Sequence, residues 1–229
     1  MSVRRLFILL VACALLAPAA VRAADPGTGG AAAPPPDPRL ATSPNVMLGK
    51  TTTFSGVLPL AGGATARVER LDAKTGIWLP IASAPIAADG SYRATWTADV
   101  AGRVTTRVTA GRGGDPGAAL AGAPPEAGVT IYRRTLTTWF GPGFFGKRTY
   151  CGQRMSRKLL GVGHRSLPCG TPVAFFYKGR SITVPVVDTG PFNGKMRFDL
   201  TFGAAKALGL RHTDTVGAVR VGAAPQPSR

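Results

Sequence analysis

Residues 184–192 read Val-Pro-Val-Val-Asp-Thr-Gly-Pro-Phe, an apolar run that ends at Asp188 before a Gly-Pro turn. A carboxylate there either holds the turn through its own backbone or moves protons for a reaction. Acidic groups around it are scarce, because from residue 135 to the C-terminus the only others are Asp199 and Asp214. Asp199 stands just ahead of a helix-like stretch, where orphan N–H groups and the dipole would hold it, and Asp214 reads as a surface turn. His164, one of 2 histidines, either assists Asp188 or braces the fold. In an exported chain that has lost Cys13, Cys151 and Cys169 remain as an even pair, so a disulfide is expected, contributing about 3 kcal/mol by the chain-entropy estimate. A zinc site of Cys151, His164 and Cys169 lacks an obvious fourth ligand, so no metal and no cofactor is expected.

The elements that must position these groups are short. With Gly 30 and Pro 20 in 229 residues, punctuation favours strands and turns over long helices, and the fold class expected is mainly β. "TPVAFFYKGRSITVPVVD" (171–188) reads as two strands about a Lys178-Gly179 turn. Pro185 within the second strand argues for an edge or a bulge. "TFGAAKALGL" (201–210) reads as a short helix with Thr201 as N-cap and Gly209 near its C-cap. Upstream, "KTTTFSGVL", "ATARVERLD", "GIWLPIASAPI", "GSYRATWTA" and "GRVTTRVTA" are short strands separated by turn signals, which implies an antiparallel sandwich over 41–134. Residues 111–128 form a long loop or a linker before a last strand at 129–134. Glu69, Asp72 and Asp89 are expected to be solvated strand and turn residues.

The N-terminus carries Arg4 and Arg5, an apolar run from Leu6 and a Val21-Arg22-Ala23 cleavage pattern, so 1–23 reads as an export signal. A membrane anchor would exist only if Cys13, in a lipoprotein-like Leu-Val-Ala-Cys, is lipidated. Residues 24–40, rich in Ala, Gly and Pro, form a tether, and 223–229 a tail. The formal net charge of +17 in an exported protein points to anionic wall polymer or a membrane surface, not to nucleic acid, unless it reflects only solubility and Arg-rich composition.

Five landmarks, "TTWFGPGFFGKRT" (137–149), "CGQRM" (151–155), "GVGHRSLPCGTPV" (161–173), "VVDTGPF" (186–192) and "RFDLTFGAAKALGL" (197–210), occur in the order found in the double-psi β-barrels of the rare lipoprotein A family, related in fold to expansins. The resemblance implies a six-stranded barrel with one or two short helices over 135–222, acting on peptidoglycan or another wall glycan. The segment 41–134 resembles the immunoglobulin-like modules of bacterial surface proteins. By the resemblance, Asp188 falls at the catalytic acid position and His164 at the family's histidine, while Gln153 stands where the family has glutamate. Hydrolysis of a glycosidic bond usually takes two carboxyl groups. A lytic transglycosylase needs one, because the substrate's C6 hydroxyl is the nucleophile, so Asp188 alone would suffice if desolvated by Val186, Val187 and Phe192. Gln153, Trp139, Arg154 and Phe192 are then candidate substrate contacts, and Lys147, Arg148 and Arg165 could meet stem carboxylates or wall phosphate. The alternative is an expansin-like protein that binds or loosens the wall without cutting it. A protease-inhibitor type of barrel protein fits the modular layout poorly.

Overall fold

The computed structural model describes residues 38–59, 63–111, 123–192 and 194–222. The expected export signal with Cys13, most of the tether, the middle of the 111–128 loop and the tail lie outside them.

Eight strands build the first part: β1 (Ala41–Thr42), β2 (Asn45–Met47), β3 (Thr51–Val57), β4 (Thr65–Leu71), β5 (Trp78–Pro85), β6 (Ser91–Thr97), β7 (Gly102–Gly111) and the first half of β8 (Glu126–Phe140). β1, β3 and β6 form one sheet; β5, β4, β7, β8 and β2 are joined in order in the other. Their alternating inward residues, among them Phe54, Val68, Trp96, Val108 and Ile131, share one apolar core. Asp72 and Asp89 hold turns as expected, accepting from Lys74 N and Thr75 N and from Ser91 N. Glu69 departs from its solvated reading. It is buried and ion-paired at 2.8 Å with Arg107, whose guanidinium lies 4.1 Å from the Trp78 ring centroid.

The second part is a closed barrel of six strands: the far half of β8, β9 (Val162–Gly163), β10 (Pro172–Tyr177), β11 (Arg180–Asp188), β12 (Phe198–Thr201) and β13 (Asp214–Arg220). Pairing runs β12, β9, β11, β10, β13, β8 and back to β12. Two pairs, β8 with β12 and β9 with β11, are parallel, in keeping with the double-psi barrel. Val162, Val173, Phe175, Val184, Leu200 and Val216 fill the interior. The β10–β11 hairpin turns at Lys178 and Gly179, whose φ values of 45° and 80° suit a two-residue turn. One helix, α1 (Phe202–Leu208), is capped as expected: Thr201 accepts from Ala204 N, and Gly209 closes the C-terminus with φ 82°.

The strand expected over 129–134 runs instead from 126 to 140. Its near half pairs with β7 and β2, and its far half with β13 and β12. At the crossing, Tyr132 is buried, stacks on Phe176 with centroids 5.5 Å apart and donates to Asn45 Oδ1 at 2.7 Å. Gly217 permits this approach, since a Cβ there would lie 2.8 Å from Tyr132 Cβ and 2.9 Å from Met47 Sδ.

Candidate functional site

Val184 and Val186 point into the barrel, and strict alternation would send Asp188 the same way. A register shift between Val186 and Asp188 interrupts that alternation and sets Asp188 beside Gly163 of β9. The bulge anticipated from Pro185 is thus real and lies just beyond it. On the other side of Gly163, β12 places Asp199 at the same level. The two carboxyl-bearing residues therefore occupy neighbouring positions on either side of one strand, about 10 Å apart across the sheet by ordinary strand spacing, with only a glycine between them.

Their surroundings differ. Asp188 Oδ1 accepts from Tyr150 N and from Thr189 N, each at 2.9 Å. The side chain thus holds its own turn and also ties down the preceding disulfide loop. Asp199 was expected to serve the helix N-terminus, but Thr201 does that work, and Asp199 Oδ1 is buried with no hydrogen-bond partner. Burial pushes the Asp199 carboxyl up to about 6, and the charge of Asp188 adds to the effect. Local reading of the sequence missed this group, because its environment is made by strands distant in the chain.

A cleft of about 230 Å³ adjoins Asp188, lined by Tyr150, His164, Ser166, Thr189 and the Cys151–Cys169 pair among others. The expected disulfide is present, with Cα atoms 5.7 Å apart, and because it consumes both thiols it closes the zinc alternative. His164 does not bond the Asp188 side chain; its backbone N–H donates to Asp188 O at 3.0 Å. Its ring Nδ1 accepts from Ser166 N and Leu167 N at 3.2 and 3.0 Å, which assigns the neutral Nε2–H tautomer and leaves that N–H for a ligand. Desolvation lowers its proton affinity, and the charges of Arg197 and Arg165 lower it further. Arg165 is itself held by Pro191 O and, at 3.2 Å, by Met196 O.

Arg165 lines this cleft, whereas Gln153, Arg154, Phe192 and Trp139 do not. Gln153 is exposed and accepts from Thr149 Oγ1 at 2.8 Å. Arg154 is exposed in a bridge with Arg148. Phe192, 81% exposed, follows the turn after Asp188, and Tyr150, 76% exposed, lines the cleft; sequence reading named the first and passed over the second. Trp139 donates to Arg211 O at 3.2 Å and meets Phe202 edge-on, with Phe145 against the same ring, so this group caps the barrel. Asp214 accepts from Tyr177 Oη at 2.7 Å.

Residues 133–223 match a protein-family model described as "Lytic transglycolase". The chain is 42% identical over 98 residues to a "Probable endolytic peptidoglycan transglycosylase RlpA" of Synechocystis sp., covering 41% of this chain and 30% of the relative. It is 36% identical over 77 residues to the "Endolytic peptidoglycan transglycosylase RlpA" of Campylobacter jejuni, covering 33% of this chain and 28% of the relative. The chain thus spans about a third of the length of the curated relatives it matches. Among solved structures, the Streptomyces papain inhibitor is 26% identical, covering 38% of this chain and 93% of that one with a TM-score of 0.30.

Proposed function

We propose that the barrel cleaves wall glycan strands as a lytic transglycosylase, with Asp199 as the proton-carrying acid and Asp188 as its charged partner. The observation that carries this reading is the Asp199 carboxyl beside Asp188, with Oδ1 buried and without a hydrogen-bond partner and its proton affinity raised to about 6. A carboxyl whose proton affinity is raised by burial beside a second carboxylate is an ordinary arrangement for a general acid. Asp199 gives its proton to the glycosidic oxygen as the bond from C1 to that oxygen breaks. Positive charge gathers at C1, and the Asp188 carboxylate stabilises it. The substrate's own C6 hydroxyl then bonds to C1 and returns a proton to Asp199, so the acid is regenerated and an anhydro sugar results. No second nucleophile is required. His164 Nε2–H orients a sugar hydroxyl, with Tyr150 and Phe192 as lips for the strand. The similarity to relatives named as endolytic peptidoglycan transglycosylases supports peptidoglycan as the glycan. The disulfide suits an exported protein, and residues 41–134 act as an immunoglobulin-like platform for the barrel.

One observation favours the second reading, wall binding without cleavage: the residue at the resemblance's glutamate position, Gln153, cannot exchange a proton and is turned to Thr149. Digestion of purified sacculi decides between them. Mass spectrometry is expected to find anhydro-muropeptides with the parent protein and none with Asp199→Asn. Sacculi that are bound but release no anhydro products would leave a binding protein.

A further inference from the structure

A second and larger cleft, about 800 Å³, lies where the barrel meets the preceding sheets. Arg133, Arg134, Arg197 and Arg220 line it, and Leu48, Ala101 and Val219 contribute apolar wall. No acidic residue lines it, and none of the four guanidinium groups has a hydrogen-bond or ion-pair partner among the described residues. Scattered surface arginines would need no explanation, but these converge on one concavity, and the backbone explains why. β8 buries Val129 through Tyr132 without a break and then exposes both Arg133 and Arg134, so the usual in-and-out alternation lapses where the strand passes from the preceding sheets to the barrel. Two consecutive arginines thereby reach the same cleft. Arg220 ends the neighbouring strand β13, and the backbone N–H of Arg197 donates to Leu136 O on β8 at 3.3 Å. All four cations thus stand on or beside hydrogen-bonded sheet.

We propose that this arginine cleft binds a chain of phosphodiesters linked by a short polyol, of the glycerol phosphate kind. The proposal does not depend on the glycan reading above. Guanidinium forks match phosphate oxygens through paired hydrogen bonds. Tetrahedral phosphate oxygens can accept from guanidinium groups on different walls at once, whereas the two oxygens of a carboxylate lie in one plane. The volume is that of a small-molecule site and too large for a single inorganic anion. Apolar wall beside the cations suits the carbon spacers of such a chain, and a concave basic site without competing acids concentrates the field on its charges. A nucleic acid carries the same phosphodiesters, but Phe198, the one phenyl ring at the cleft, is buried against His164 and Phe175 and offers no platform for bases.

The test measures equilibrium binding of the full chain to poly(glycerol phosphate), with poly(glutamate), an oligothymidylate and phosphatidylglycerol vesicles as rivals. The parent is expected to bind poly(glycerol phosphate) most tightly of the four. Arg134→Gln/Arg197→Gln/Arg220→Gln should weaken that binding at least ~10-fold, as loss of about one net charge-assisted contact would give. Lys50→Gln/Lys74→Gln/Arg93→Gln removes the same charge from exposed positions elsewhere. It should change the affinity by less than ~3-fold, the effect of distant and screened charge. An unchanged urea midpoint shows that a variant has kept its fold, and the ranking of the four probes by the parent tests the proposal without any variant. Equal losses in the two triple variants would reduce the binding to net charge and overturn the cleft assignment. Equal or tighter binding of poly(glutamate) overturns phosphate as the recognised group; of the oligothymidylate, the polyol chain; of the vesicles, a soluble polymer as its source. A parent that binds none of the four has no such site. None of these outcomes involves sacculus digestion, so failure here leaves the glycan reading standing.

Discussion

Asp188 and Asp199 illustrate how a single glycine can decide a site. Gly163 brings two carboxyl-bearing strands level without a side chain between them, so the charge on one is felt by the other. Burial raises the proton affinity of folded Asp199 above its ordinary value of 3.8, to about 6. A group raised in this way supports the fold fully below about pH 4 and withdraws that support as the pH climbs through 6. Asp199→Asn should therefore abolish cleavage and yet stabilise the protein at pH 7 by about 1–2 kcal/mol, discounted for partial exposure, with no gain at pH 3.5. Urea unfolding at the two pH values checks this, and a variant destabilised at both would assign Asp199 to structure. Asp188→Asn keeps an oxygen to accept from Tyr150 and Thr189 but removes the charge. The Asp199 titration, followed by carboxyl-carbon NMR, should then move downward; an unmoved midpoint would leave desolvation as the sole cause. The cysteine pair was legible, and Asp188 and His164 stood out as candidates, because each sits in a short local motif. Asp199 was not, since its neighbours arrive from two other strands, and neither was the fate of Trp139, whose indole partner lies 72 residues away.

Elements whose punctuation is local were equally legible. The Lys178-Gly179 hairpin and the Thr201–Gly209 helix stand where turn and cap residues put them. Thr201 does more than cap: its Oγ1 accepts from Gly161 N at 3.1 Å and donates to Leu159 O, joining the loop before β9 to the start of α1. Thr201→Val keeps the shape and strips all three bonds, so it should cost about 2–3 kcal/mol, read as a lower urea midpoint with an unchanged slope. The disulfide acts on the neighbouring loop. It closes a segment of 18 residues, and reduction should remove about 3 kcal/mol by the chain-entropy estimate, visible as a lower melting temperature that returns on reoxidation. β8 could not be read in the same way. A change of texture near Thr135 looks like a boundary in sequence, but the segment from Glu126 to Phe140 carries no proline, and both halves of the molecule need its edges. Continuity is set by pairing on either side, which local composition does not record.

The chain described here has two apolar cores on one shared strand, and its excess of 28 basic over 11 acidic side chains gathers partly where those cores meet. Such an arrangement makes the junction a working part instead of a spacer. Gly217 is its tightest point: any side chain would press on Met47 and Tyr132. Met47 ends β2, next to Leu48, which walls the arginine cleft. Gly217→Ala should therefore cost roughly 1–3 kcal/mol by overpacking and displace the far wall of that cleft. The Asp188–Asp199 pair lies on β11 and β12, neither of which carries Gly217, Met47 or Tyr132, so cleavage of glycan strands should continue at the parent rate per folded molecule. What should fall is the urea midpoint, with an unchanged slope. Cleavage that falls together with stability would mean instead that the junction supports the whole barrel.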